Sequence, residues 1–266
     1  MNSVAPPRTG YAPVNGLRLY YEMHGPANAG QPDRPPLVLL HGGGDTIETS
    51  FGHLLPALAR TRRVIAFEQQ GYGHTADVVD RPFSFEQSAD DTAALLTHLR
   101  VERADLLGFS NGGTIALQVA MRHPRLVGKL IATSAFFKRD GADPWFWEAM
   151  KNARLENMPS ELQEAYRRVA PQPDNLRLFH DKAAQRMRTF KDIADDAVRA
   201  IAAPTLVLVG DADVVRPEHA VALFRLIPNA RLAVLPGTDH AAIMTRTELL
   251  LPIIDRFLDG VLDGAP

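Results

Sequence analysis

The stretch Ala104-Asp105-Leu106-Leu107-Gly108-Phe109-Ser110-Asn111-Gly112-Gly113 decides how the chain is read. Ala104 to Leu107 is a short apolar run of the kind expected for a buried strand, and an amphipathic segment follows the glycines as far as Pro124. Between strand and helix stands Gly108-Phe109-Ser110-Asn111-Gly112, a match to G-x-S-x-G. In that setting the serine sits on a sharp strand-to-helix turn with unusual backbone angles. Gly108 and Gly112 leave room for neighbouring backbone to pack against the turn.

Working outward, strand-like and helix-like segments alternate. Asn15-Gly16 is a favoured two-residue hairpin turn, followed by the alternating Leu17, Leu19 and Tyr21. A Pro-rich loop from Gly25 to Pro36 leads to Leu37-Val38-Leu39-Leu40, apolar throughout, as in a strand buried on both faces. Val64 to Phe67 reads as a strand and Phe85 to Leu99 as a helix, with Ser84 and Gln87 forming a capping box. Leu130 to Ser134, Thr205 to Val209 and Arg231 to Leu235 are further strands; a helix runs from about Pro217 to Leu226, and another ends the chain through Leu258. Pro252 is expected to kink that last helix or delay its start. Repeated strand–helix units imply an α/β protein with a parallel sheet and helices on both faces. The alternation breaks between Phe136 and Ala203, a helical stretch with charged faces that reads as an insertion.

Composition narrows the chemistry. The 266 residues carry 29 Lys+Arg against 31 Asp+Glu, a net charge of −2, so no general electrostatic attraction to nucleic acid or to an anionic membrane surface is expected. No run reaches the roughly 18 apolar residues of a membrane span, and Met1 to Gly10 has no signal-peptide core, which makes the cytoplasm the simplest address. With no Cys in the chain, thiolate nucleophiles and Cys-ligated metals are excluded, and no His/Asp cluster at ligand spacing occurs. No metal and no cofactor is expected.

A serine hydroxyl is a weak nucleophile and needs a base oriented by a third group. Asp211 and Asp213 follow the strand at Thr205 to Val209, and His240 follows the strand ending at Leu235 within Pro236-Gly237-Thr238-Asp239-His240. In a parallel sheet these strand ends share one edge, so Ser110, Asp213 and His240 are expected to converge there. Asp213 is the expected acid, while Asp211, nearer the strand end, holds the turn through backbone amides. His41-Gly42-Gly43-Gly44 supplies a loop that can approach an oxyanion closely; the N–H groups of Gly43 and Asn111 are the expected oxyanion donors, with Gly44 beside the substrate. His41 is expected to serve structurally.

On these motifs, over nearly its whole length, the chain resembles the α/β-hydrolase superfamily. Glu68-Gln69-Gln70-Gly71-Tyr72-Gly73-His74-Thr75 is similar to that family's D-x-R-G-x-G-x-S loop but departs from it at Glu68, Gln70 and Thr75. The resemblance implies a mostly parallel eight-stranded sheet, a core of residues 1–135 and 204–266, and a helical cap of residues 136–203 over the site. It also implies a serine hydrolase that cleaves a carboxylic ester or lactone through an acyl-enzyme. Cofactor-free perhydrolysis of the haloperoxidase type, carbon–carbon bond hydrolysis of ring-cleavage products, and a ligand-binding signalling role are the alternatives. Within Phe136 to Met150, Phe137 and Trp145 are expected to face a small-molecule substrate with an apolar or aromatic portion.

Overall fold

The computed structural model describes residues 6–26 and 34–262. Residues 1–5, 27–33 and 263–266 lie outside the described residues, and with them half of the segment read for a signal peptide and most of the Pro-rich loop. Asn15 and Gly16 adopt φ of 48° and 79°, the left-handed pair that a tight hairpin turn requires. Strands β1 (Arg8–Val14) and β2 (Leu17–His24) therefore pair antiparallel, with Val14 opposite Leu17.

The remaining strands are β3 (Leu37–Leu40), β4 (Val64–Phe67), β5 (Ala104–Phe109), β6 (Val127–Thr133), β7 (Thr205–Ala212) and β8 (Ala230–Asp239). They are mutually parallel, and β2 joins them antiparallel to β4. The eight-stranded sheet has the order β1-β2-β4-β3-β5-β6-β7-β8, which leaves β8 at an edge with β7 as its single strand neighbour. From β3 the chain first adds β4 on one side and then crosses back to β5 on the other. Ligand crevices form at such a reversal, beyond the carboxyl ends of the strands. Here the loops that meet at it carry the His41 glycines and Ser110.

Helices cover both faces, and the strand period explains how. Leu37 and Leu39 pack with α1 (Ile47–Phe51), α2 (Leu55–Thr61) and, near the C-terminus, Leu250, Ile254 and Phe257. Val38 and Leu40, on the opposite face, pack with α3 (Phe85–His98) and α4 (Asn111–Arg122). Ser84 Oγ caps α3 by accepting the Gln87 N–H at 3.0 Å. Between β6 and β7 lie α5 (Pro144–Lys151), α6 (Ser160–Val169), α7 (Leu176–Arg188) and α8 (Asp195–Arg199). Tyr166, Leu176 and Phe179 from this stretch cluster with Tyr72 and Phe83 of the loop after β4. Phe190, Ile193, Val198 and Ile201 join the main core instead. The order closes with α9 (Pro217–Leu226) and α10 (Thr247–Leu258).

Several boundaries differ from the sequence reading: β6 begins at Val127 rather than Leu130, and β7 runs to Ala212 rather than Val209. α10 begins at Thr247 and runs through Pro252, so the proline does not delay its start; it supplies no N–H to the Glu248 carbonyl. β8 continues past Leu235 to Asp239 because Gly237, at φ 57°, absorbs a register shift opposite Gly210 and Ala212. Among the described residues no helix is long and apolar enough to cross a membrane.

Candidate active site

Ser110 stands between β5 and α4 with φ 53° and ψ −119°, a conformation that L side chains rarely adopt and that a tight surrounding must hold. Its N–H donates to the Thr133 carbonyl at 2.8 Å. The neighbouring glycines are sterically required. A Cβ at Gly108 would lie 2.2 Å from the Gly112 carbonyl oxygen, and one at Gly112 would lie 1.9 Å from the Leu40 carbonyl oxygen. The motif is thus where the end of β5, the start of α4 and the end of β3 pack backbone to backbone.

The Ser110 hydroxyl lies 3.0 Å from His240 Nε2, and His240 Nδ1 lies 2.7 Å from Asp213 Oδ1. A buried carboxylate beside Nδ1 fixes the tautomer: Nδ1 donates to Asp213 and Nε2 accepts from Ser110. The Asp213 side chain is fully buried. Burial pushes its carboxyl up, but the hydrogen bond and charge of His240, with further bonds from Ser134 and the Val215 N–H, outweigh this and hold it below the usual range. Ser134 Oγ donates to Asp213 Oδ2 at 2.6 Å and the Val215 N–H to Oδ1 at 3.0 Å. Asp211 accepts the Thr238 N–H at 3.1 Å, bracing the approach to His240 as expected. The Phe109 ring packs 5.1 Å from the His240 ring.

The glycine loop after β3 is tied down from several sides. The imidazole of His41 is completely buried; its Nε2 accepts the Gln69 N–H at 3.1 Å, so Nδ1 carries the proton and donates to the Gly42 carbonyl at 2.9 Å. Burial lowers its pKa to about 4, which keeps it neutral and structural. Of the three loop amides, Gly42 N–H donates to Ser50 Oγ at 3.1 Å, while the Gly44 N–H faces the Tyr72 hydroxyl and favours its charged form. Gly43 N–H has no acceptor among the described residues, and its residue abuts Asn111: a Cβ at Gly43 would lie 2.3 Å from Asn111 Nδ2. Asn111 is the first residue of α4, where backbone N–H groups lack intrahelical acceptors.

The apolar residues beside this loop come from the insertion. A Cβ at Gly44 would lie 3.3 Å from Leu162 Cδ1 and 3.6 Å from Met158 Cε. Phe137 is buried, stacked on His219 with ring centroids 4.3 Å apart, and Trp145 on α5 is 60% exposed. Asp45, next in the loop, accepts from Thr49 Oγ1 at 2.9 Å, and burial outweighs its hydroxyl partners and raises its carboxyl above the usual range.

Sequence reasoning thus named all three members of the hydrogen-bonded Ser–His–Asp line and missed Ser134, Met158, Leu162 and Tyr72. Ser134 had one available signal: it follows β6, the strand between those that lead to Ser110 and Asp213. Among the described residues no group of three His, Asp or Glu side chains is placed to hold a metal ion.

A family profile described as alpha/beta hydrolase fold matches residues 35–189. The chain is 30% identical over 250 residues to the pimeloyl-[acyl-carrier protein] methyl ester esterase of Neisseria meningitidis, covering 85% of this chain and 78% of that protein. It is 31% identical over 232 residues to the 2-hydroxymuconate semialdehyde hydrolase of Pseudomonas sp. strain CF600, covering 77% of this chain and 80% of that protein. Its structure matches the enol-lactonase from Burkholderia xenovorans LB400 with a TM-score of 0.73 at 22% identity, over 94% of this chain and 99% of that one.

Proposed function

The chain belongs to the α/β-hydrolase family, and from that premise we propose that it is a serine hydrolase that cleaves a carboxylic ester or lactone through an acyl-enzyme. The observation that carries this reading is the unbroken line from Ser110 Oγ through His240 to the fully buried carboxylate of Asp213.

In the proposed cycle Ser110 Oγ attacks the carbonyl carbon as its proton passes to His240 Nε2, and Asp213 stabilises the imidazolium through Nδ1–H. The oxyanion of the tetrahedral intermediate accepts the Gly43 and Asn111 N–H groups. The carbon–oxygen bond to the leaving group breaks as His240 returns the proton to the departing alkoxide. Water then gives its proton to His240, attacks the acyl-enzyme and releases the carboxylic acid with Ser110 restored. Support for Gly43 as donor comes from its place against Asn111, with the Gly42 N–H already committed to Ser50.

Residues 136–203 are proposed as the cap, anchored to the core through Phe190 to Ile201. The substrate's apolar portion then rests on Met158 and Leu162, with Phe137 buried on His219 and Trp145 exposed on α5 in this conformation. Carbon–carbon bond hydrolysis is the second reading, favoured by the 31% identity to the semialdehyde hydrolase.

Ser110→Ala is expected to abolish both turnover of p-nitrophenyl acetate and covalent labelling by a fluorophosphonate. Labelling retained in the variant assigns the nucleophile elsewhere. Comparing rates on an ester, a lactone and a vinylogous diketone separates the two readings, and a preference for the diketone sinks the first.

A further inference from the structure

Arg186, on α7 of the insertion, is 3% exposed and has no carboxylate within ion-pair distance among the described residues. Its Nε is buried without a hydrogen-bond partner. An unpaired buried charge is costly and is removed unless something else keeps it. Weak compensation comes from aromatic rings, with Phe85, Tyr72 and Phe83 centroids 5.1, 5.6 and 5.9 Å from the guanidinium carbon.

The two polar contacts that Arg186 makes are the informative ones. Nη1 donates to Gln69 Oε1 at 3.3 Å, and Nη2 donates to the Tyr72 hydroxyl at 2.7 Å. Both recipients hold the glycine loop. Gln69 Nε2 donates to the His41 carbonyl at 3.2 Å while its backbone N–H donates to His41 Nε2. Tyr72 presents its hydroxyl to the Gly44 N–H and packs its ring 4.8 Å from that of His41. The loop is therefore gripped at its first and last residues by two side chains, and one guanidinium from the insertion fixes both.

We infer that Arg186 is a positioning residue for the oxyanion loop, setting the Gly43 N–H through Tyr72 and Gln69 and so linking the seating of the inserted helices to transition-state stabilisation. The inference rests on the ester-hydrolase reading for its catalytic consequence. Its structural half, the rigidity of residues 41–45, stands apart from any activity.

A loop held out of place binds substrate as before but stabilises the oxyanion less, so kcat falls while KM stays. For Arg186→Met the expected fall in kcat on p-nitrophenyl acetate is on the order of tenfold to a hundredfold, below the loss from deleting a donor outright. Affinity for a boronic acid, which forms a tetrahedral serine adduct, falls in parallel. Tm is expected to hold or rise, because an unpaired buried charge has been removed. Tyr72→Phe, which deletes only the shared hydroxyl, reproduces the kcat loss, and the double variant is no worse than either single one. Arg186→Lys recovers part of the rate.

Backbone hydrogen exchange of the peptide spanning residues 41–45 is measured alongside and is expected to quicken in Arg186→Met and Tyr72→Phe but not in α10. If the wild type turns over no acyl substrate, the hydrolase reading fails while the exchange data still judge the loop. Unchanged exchange and kcat within twofold of wild type in folded Arg186→Met overturn the inference, as do losses that multiply in the double variant.

Discussion

His41 and His219 are kept neutral by the same device, a backbone N–H donating to Nε2. Gln69 supplies it to His41 and Phe137 supplies it to His219, each at 3.1 Å. Burial lowers both pKa values to about 4. The unfolded chain restores each imidazole to its ordinary value near 6.5, so between roughly pH 6.5 and 4 the unfolded state binds protons that the folded state refuses. Stability is then present in full above pH 6.5 and is lost as the pH falls toward 4, by about 3 kcal/mol for each histidine. Asp105, pushed up to about 6 by burial, acts in the opposite sense over the lower part of that window. The single variants therefore isolate the histidines better than the raw profile does. His219→Gln is expected to flatten the dependence of the urea midpoint on pH by about one proton; a variant with the wild-type slope dismisses the assignment.

Glycines in two elements show that one residue type can be required for different physical reasons. At the β1–β2 turn Gly16 is left-handed, with nothing within 4 Å of an added Cβ, so Gly16→Ala meets only backbone strain. The expected cost is about 1 kcal/mol. At the start of α4 a Cβ on Gly112 would sit 1.9 Å from the Leu40 carbonyl oxygen, so Gly112→Ala must push α4 away from β3. That variant is expected to lose about 3 kcal/mol or more and most of its activity, since Ser110 rides on the displaced turn. Urea unfolding of the two variants side by side checks the order.

The same contrast explains how much was legible in the sequence. The elbow, the hairpin and the order Ser110, Asp213, His240 are visible because local backbone geometry and strand ends dictate them. Ser134 is marked only by its place after β6, and Tyr72 and Arg186 meet far along the chain, 114 residues apart, where no local pattern marks them. Phe137 and Trp145 share one aromatic-rich stretch, yet packing buries the first on His219 and leaves the second on the surface. Periodicity within one segment does not say which neighbour covers it.

Across the whole molecule, the sheet gathers the site from strands of unequal support. Ser110 follows β5, flanked by β3 and β6, and Asp213 follows β7, flanked by β6 and β8. The inserted helices add a second tie, with Lys182 of α7 2.7 Å from both carboxylate oxygens of Asp77 in the loop after β4. His240 alone follows an edge strand. Past the register shift opposite Gly210 and Ala212 the carboxyl end of β8 has β7 as its one strand neighbour, and local opening begins at such ends, so this end is expected to detach while the rest of the sheet stays folded. Ser110 and Asp213 then keep their places while His240, the proposed base, leaves. Activity is therefore expected to vanish at lower urea than far-UV circular dichroism does, and to return at once on dilution; coincident transitions would show β8 to be as firmly held as the interior. On that expectation the working range is set by how tightly the carboxyl end of β8 stays paired, inside the range over which the protein remains folded.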